Sequence, residues 1–182
     1  ALSHCLKAYS SINENPPAKA VALDGIQRIV ANIRTAYNEP QNRQARWEMM
    51  MGALEGGMTM LNGCGAMHAM AHAIGGRHDL NLHHGTLNAV LMPWVLEYNR
   101  PHCPALFARL EKALELPADT GFIDVVRRLN ADLNIPRGLG AMGITEAMIP
   151  ALAGAAVRDV NTLTNPVRLD AAGYELLLRA AM

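Results

Sequence analysis

The sequence has no surplus of charge: 16 Lys and Arg stand against 16 Asp and Glu in 182 residues, for a formal net charge of zero. Without a field of one sign, nothing draws the chain to nucleic acid or an anionic membrane. Neither is expected as a partner, and a small neutral ligand is favoured. Cysteine is scarce and unpaired. Cys5, Cys64 and Cys103 form no Cys-x-x-Cys and are odd in number, which argues against a secreted disulfide framework and for a reducing compartment, with the cytoplasm as default. No apolar run reaches the roughly 18 residues of a membrane span before Gly, His or charge breaks it. No basic-then-apolar leader opens the chain, so a soluble protein is expected. Strand signals are missing too: there is no sustained apolar/polar alternation, no Asn-Gly hairpin and no Val/Ile-rich run between turns. Neither an internal repeat nor a low-complexity tract is present.

What is present is helix. The length suits one domain over residues 1–182, with enough chain to bury a core unaided. Ala1 to Tyr9 already reads as helix, with no cap, Met or turn before it, so missing upstream sequence is expected and the chain reads as a fragment. Ser10 to Pro17 is turn chemistry, with Pro17 suited to a first helical position. Ala22, Ile26, Ile29, Ile33 and Tyr37 then recur at three- and four-residue spacing, the mark of one buried face, until Asn38-Glu39-Pro40 stops the helix. Asn42 is placed to cap the next helix, Arg43 to about Leu61, whose Met- and Gly-rich stretch from Trp47 onward reads as core packing. Further helices are expected over His84–Tyr98, Pro104–Glu115, Thr120–Leu133, Thr145–Arg158 and Asp170–Ala181, several opened by Asp or Thr in capping position. With short connections, the fold class is all-α, a bundle of about eight helices.

Five of the seven histidines fall in the stretch from His68 to His84, namely His68, His72, His78, His83 and His84. His68 and His72 are four apart, so on a helix both rings leave one face a turn from each other. Imidazole is the commonest metal ligand near neutral pH, and a further His from another segment can complete a site. By itself His-x-x-x-His is a weak signal, open to a metal reading and to a bland one, and the His-Glu-x-x-His form is absent because Ala69 stands where the Glu would be.

The context narrows the choice. Gly65-Ala-Met-His68-Ala-Met-Ala-His72-Ala-Ile-Gly-Gly76, His83-His84-Gly85-Thr-Leu-Asn-Ala89 and Leu91-Met-Pro-Trp-Val-Leu-Glu-Tyr-Asn99 together closely resemble the signature of iron-type (group III) alcohol dehydrogenases. The opening Ala1-Leu-Ser-His4 resembles that family's Asp-Ala-x-x-His segment, and Asn161-Thr-Leu-Thr-Asn-Pro166 its Thr-x-Asn-Pro stretch. The resemblance implies the helical, metal-binding domain of a dehydroquinate synthase-like two-domain enzyme. A nucleotide-binding α/β domain would precede it and a divalent metal would lie in the cleft.

Carried over by position, the resemblance makes His4, His68 and His84 metal ligands, with a fourth ligand, an Asp, expected immediately before Ala1. It places His72 near the nicotinamide without ligating, as the group that moves a proton. The interval from His72 to His84 is about two residues longer than the family pattern, and the choice of His84 over His83 rests on its adjacency to Gly85. Asp with three His suits Fe²⁺ and accepts Zn²⁺. NAD or NADP, a small-molecule alcohol or aldehyde, the missing N-terminal nucleotide-binding domain and a homo-oligomer are the partners implied. Within the same architecture a Zn-dependent glycerol dehydrogenase-like or a maleylacetate reductase-like enzyme is the alternative. A stand-alone helical metal-binding or dimerisation module is the non-enzymatic one. His78, His83 and His102 read as polar loop residues and Cys64 as a buried, unreactive thiol. Gly138-Leu-Gly140 and the stretch from Gly52 to Gly57 are not phosphate loops, since neither carries Gly-Lys-Ser/Thr. His4, His68 and His84 are therefore expected to converge, with His72 alongside.

Overall fold

The computed structural model describes residues 1–77 and 79–182. His78, read as a loop residue, lies outside the described residues. Among them run nine α-helices and no strand: α1 Leu2–Ser10, α2 Pro16–Asn38, α3 Arg43–Met58, α4 Gly65–Gly75, α5 His84–Asn99, α6 Pro104–Ala113, α7 Phe122–Asp132, α8 Ile149–Arg158 and α9 Ala171–Ala180. The expected all-α bundle is what forms, with one helix more than the rough count. No helix among these residues is long and apolar enough to cross a membrane.

The helix starts follow from local chemistry. Asn15 accepts from Ala18 N and Asn42 from Ala45 N, each a side-chain cap, and Pro16 and Pro17 occupy the first turn of α2, where a missing N–H costs nothing. Asp170 caps α9 through Gly173 N. Four expected boundaries shift, each for a readable reason. Helix α3 stops at Met58 rather than Leu61, because Thr59 Oγ1 bonds back to the carbonyls of Glu55 and Gly56 and a 3₁₀ turn, Met60–Asn62, follows. Helix α6 ends at Ala113 because Glu115 turns left-handed, with φ 52°. Thr120 does not cap α7; Gly121 stands at that position. Glu146–Met148 is a 3₁₀ turn ahead of α8, since Pro150 has no N–H to continue an α-helix back to Glu146.

The reading of the Met-rich stretch as core is corrected. Met50, Met58 and Trp47 are 68%, 66% and 50% exposed, while the buried face of α3 is Ala45, Gly52 and Gly56. The reason is backbone proximity. A Cβ on Gly52 would lie 2.7 Å from Ile29 Cγ1, and one on Gly56 would lie 3.0 Å from His4 Cβ. Helix α3 therefore approaches α2 and α1 through glycine; Met50 and Met58 turn outward, while Met49 packs half-buried against the core. On α2, Ala22, Ile26 and Ile29 are buried as the spacing predicts, but Tyr37 at the end of the stripe is exposed.

Helix α4 is the innermost element. Ala66, Met67, His68, Ala69, Met70, Ala71 and Ile74 are all buried, against α5 on one side and α8 with the following 3₁₀ turn on another. A helix apolar around most of its circumference has to be a core helix. Helix α5 carries Pro93 in its interior, which removes the N–H that would bond Ala89 four residues earlier. Asn130 of α7 replaces it: its Nδ2 donates to Ala89 O at 2.7 Å.

This substitution of a side-chain donor for a backbone one is testable. Asn130→Ala should lower stability by about 1 kcal/mol, the cost of losing a hydrogen bond to a half-buried carbonyl. Adding Pro93→Ala, which returns an N–H to the helix, should recover part of it. Chemical denaturation of the two variants reads both effects, and an unchanged midpoint for Asn130→Ala would mean that Ala89 does not depend on that amide.

Candidate metal centre

The first turn of α4 needs acceptors for backbone donors that no helical carbonyl can reach. They come from a distant strap, the 3₁₀ turn Val160–Thr164 and Asn165 after it. Thr164 Oγ1 accepts from both Cys64 N and Gly65 N at 3.1 Å, and Asn165 Oδ1 accepts from Ala66 N at 3.2 Å. Asn165 is itself fixed by a reciprocal amide pair with Asn99 at the end of α5, at 3.1 and 3.0 Å. Space for this contact comes from Gly63, at φ +121°, where a Cβ would sit 2.5 Å from Thr164 Cβ. The Thr-Asn-Pro stretch singled out in the sequence is thus the cap of the histidine helix, a role the sequence did not assign.

Three helices deliver four imidazoles. His4 comes from α1, His68 and His72 from α4, and His84 from the first position of α5. The ring of His68 lies 5.2 Å from that of His4, 5.6 Å from that of His72 and 5.0 Å from that of His84, centroid to centroid, and His72 and His84 are 5.4 Å apart. Among the described residues, the group whose ligating atoms all lie within 4.8 Å of one another is His68, His72 and His84. His4 stands beside this group through its contact with His68. His83 is placed elsewhere, capping α5 by accepting from Thr86 N, and His102 sits in a 3₁₀ turn against Tyr98.

Burial is the first cause that lowers the pKa values of His4, His68 and His84. It holds His68 far below the ordinary histidine range, at about 2, with Lys7 and the neighbouring imidazoles adding to the effect. His4 is held at about 4, again by burial first and then by Lys7 and the N-terminus. His84 is lowered by burial and by His72. His4 and His68 are therefore neutral at neutral pH, the form in which an imidazole can ligate a metal.

The residues fit a divalent cation. His68 Nε2 accepts from Lys7 Nζ at 3.3 Å, and His84 Nε2 has Asn88 Nδ2 at 3.1 Å, so both nitrogens present lone pairs. Those two nitrogens lie 3.3 Å apart. Two nitrogens each about 2.1 Å from a tetrahedral metal would be about 3.4 Å apart. With its lone pair on Nε2, His68 carries the proton on Nδ1, which is buried and has no hydrogen-bond partner. Neutral imidazoles that face each other in this way suit Fe²⁺ or Zn²⁺.

Two neighbours were missed by sequence reasoning. Lys7 is 4% exposed and donates to Cys64 Sγ at 2.8 Å as well as to His68. Cys64 is therefore partly exposed and hydrogen-bonded rather than a buried bystander. Asp159 Oδ2 lies 2.9 Å from His72 Nδ1. Burial alone would raise the Asp159 carboxyl, but donors from Asn161 and His72 outweigh it and hold the group below its usual range. Asp159-Val-Asn161 is legible in sequence as a capping turn. Nothing local reveals that the other carboxylate oxygen meets a histidine 87 positions away.

Comparison with known proteins follows the same lines. The family model described as Fe-containing alcohol dehydrogenase family, C-terminal, matches residues 1–182. The chain is 36% identical to the 4-hydroxybutyrate dehydrogenase of Cupriavidus necator, covering 100% of this chain and 50% of that protein. It is 37% identical to the 1,3-propanediol dehydrogenase of Klebsiella pneumoniae, over 91% of this chain and 45% of the relative. Its fold matches a crystal structure of 1,3-propanediol oxidoreductase with a TM-score of 0.92 and 32% identity, covering 100% of this chain and 49% of that one. The chain thus spans about half the length of these relatives.

The strap makes the site's scaffold testable without any metal. Thr164→Val keeps the shape but removes the acceptor of two backbone donors, and should cost about 1–3 kcal/mol. Amide exchange should quicken at Cys64 and Gly65 and stay unchanged in α6. Protection of those two amides in the variant would show that another group caps α4.

Proposed function

The chain belongs to the Fe-containing alcohol dehydrogenase family over residues 1–182, and from that premise we propose that it is the metal- and substrate-binding half of an NAD(P)-linked alcohol dehydrogenase or aldehyde reductase. Nothing in these helices resembles a nucleotide-phosphate loop. The nicotinamide is accordingly assigned to a preceding domain that makes up the other half of the relatives' length. Small primary alcohols and hydroxy acids are the substrate class, by analogy with the named activities of the 4-hydroxybutyrate and 1,3-propanediol dehydrogenases.

The observation that carries the reading is the meeting of imidazoles from three helices around the buried His68, with two lone-pair nitrogens 3.3 Å apart. His68 and His84 would hold the cation, with His4 as a further ligand from α1 and an upstream Asp completing the set. Held there, Fe²⁺, or Zn²⁺ in its place, supplies Lewis-acid polarisation of an alcohol or aldehyde oxygen. The chain's own residues do the rest. The apolar sides of α4 and α5 keep water from the buried face of His68. His72 has a side chain 45% exposed. It can pass a proton between the substrate hydroxyl and solvent at Nε2, the ring nitrogen that Asp159 leaves free.

Cobalt(II) titration, followed by its visible absorption, tests the ligand set. One saturable site is expected in the chain, lost in His68→Ala and in His84→Ala and kept in His72→Ala. Unchanged binding by His68→Ala would overturn the assignment. A version extended upstream to include the expected Asp should bind at least about 10- to 100-fold more tightly, since a direct ligand is worth no less than the outer partners whose loss costs that much. The 182-residue chain alone should give no NAD(P)-linked oxidation of 1,3-propanediol or 4-hydroxybutyrate, because hydride transfer requires a nicotinamide held against the substrate carbon.

A further inference from the structure

Among the described residues, His72 is the imidazole of the cluster with a carboxylate against it, and the arrangement around that carboxylate is more constrained than a surface ion pair. Asp159 Oδ2 lies 2.9 Å from His72 Nδ1. Asp159 Oδ1 is taken twice over by Asn161, whose backbone N donates at 2.8 Å and whose Nδ2 donates at 2.6 Å. Both oxygens are therefore committed, and the Asp159 side chain, 18% exposed, cannot rotate without losing two donors.

A carboxylate accepts and does not donate, so the imidazole nitrogen facing it has to carry the proton. Asn161 Nδ2 also comes within 3.3 Å of His72 Nδ1 and would favour a lone pair there. That contact is the longer one, and the same amide is already engaged by Asp159 Oδ1 at 2.6 Å, so the carboxylate prevails. With Nδ1 protonated, the lone pair sits on Nε2.

The position of Asp159 is part of the fold rather than an accident of one side chain. The strap runs antiparallel to α4: Asp159 meets His72, Thr164 meets Cys64 and Gly65, and Asn165 meets Ala66. The segment that caps the start of the histidine helix thus also grips the exposed imidazole in its third turn. It fixes His72 in rotation relative to His68.

We propose that Asp159, its other oxygen held by Asn161, is a positioning residue that locks His72 as the Nδ1–H tautomer and leaves the lone pair of that ring on Nε2. This deepens the proposed function, because it gives the proton-moving imidazole a defined accepting atom, and it rests on that reading for its purpose. The tautomer itself does not depend on a metal.

Long-range ¹H–¹⁵N spectra of the metal-free chain, with His72→Gln used to assign the resonances, should show His72 with a protonated Nδ1 and a bare Nε2. In Asp159→Asn the amide oxygen must stay on Asn161, which donates twice, so the amide N–H₂ must face His72. The proton should then move to Nε2. In Asn161→Ala the carboxylate remains and the Nδ1–H form should persist. A bare Nδ1 in the unmodified chain, an Asp159→Asn variant that keeps Nδ1–H, or an Asn161→Ala variant that loses it would each overturn the proposal. Loss of cobalt binding in His68→Ala and His84→Ala is read separately. The tautomer can therefore fail while the metal reading stands, and the reverse.

Discussion

The structure depends on the capping of α4. That helix is surrounded by other elements, and its first-turn donors face protein rather than water, where an unpaired N–H is most costly. Thr164 and Asn165 meet the need from 99 to 100 positions away. Asn99 holds Asn165 in turn, which ties the far end of α5 to the near end of α4. At the other side, Asn62 Nδ2 donates to Ala8 O at the end of α1. The three histidine-bearing helices are thus joined by asparagine and threonine side chains that terminate one helix on another. The imidazoles inherit their separations from these polar junctions as much as from the apolar core.

Glycine has the complementary role. His4 lies near His68 because α1 sits close on α3, and Gly56 leaves the room that His4 Cβ needs. Gly25 does the same between α2 and Cys5, where a Cβ would come within 2.7 Å of the sulfur. Adding a methyl at such points forces backbone apart in a close-packed interior, and the movement would pass directly to His4. Packing and site geometry are here the same constraint, seen from two sides.

Much of the helix pattern was legible in the sequence because starts and stops are local: Asn42 and Asp170 cap through donors three residues on, and Pro40 stands two residues past the end of α2. The candidate site was legible as a cluster through the His68/His72 spacing and through a family resemblance that also pointed to His84 over His83. What escaped was everything set by contacts between distant segments. The methionines of α3 gave a core-like composition, but which face is buried was settled by the glycines against Ile29 and His4. Neither Lys7 nor Asp159 was singled out from the sequence: only the packing of α1 on the Cys64 turn makes Lys7 a buried donor, and only the fold brings Asp159 to His72.

The charge balance of the centre follows from the same placement. Lys7 Nζ lies 3.3 Å from the nitrogen that a cation would also use, and a lone pair serves one of them at a time. An ammonium and a dication about 4 Å apart repel by about 8 kcal/mol at an effective dielectric constant of 20. That is of the order by which an unbalanced cation would be disfavoured beside the ammonium. Lys7 keeps a second partner in Cys64 Sγ at 2.8 Å, so release of His68 does not strand it. The imidazoles themselves bring no negative charge. Among the described residues, Asp159 is the carboxylate hydrogen-bonded to a ring of the cluster, and it reaches the centre only through His72. The imidazole cluster is therefore assembled from α1, α4 and α5, and a cation held there as proposed would draw most of its compensating charge from outside these helices.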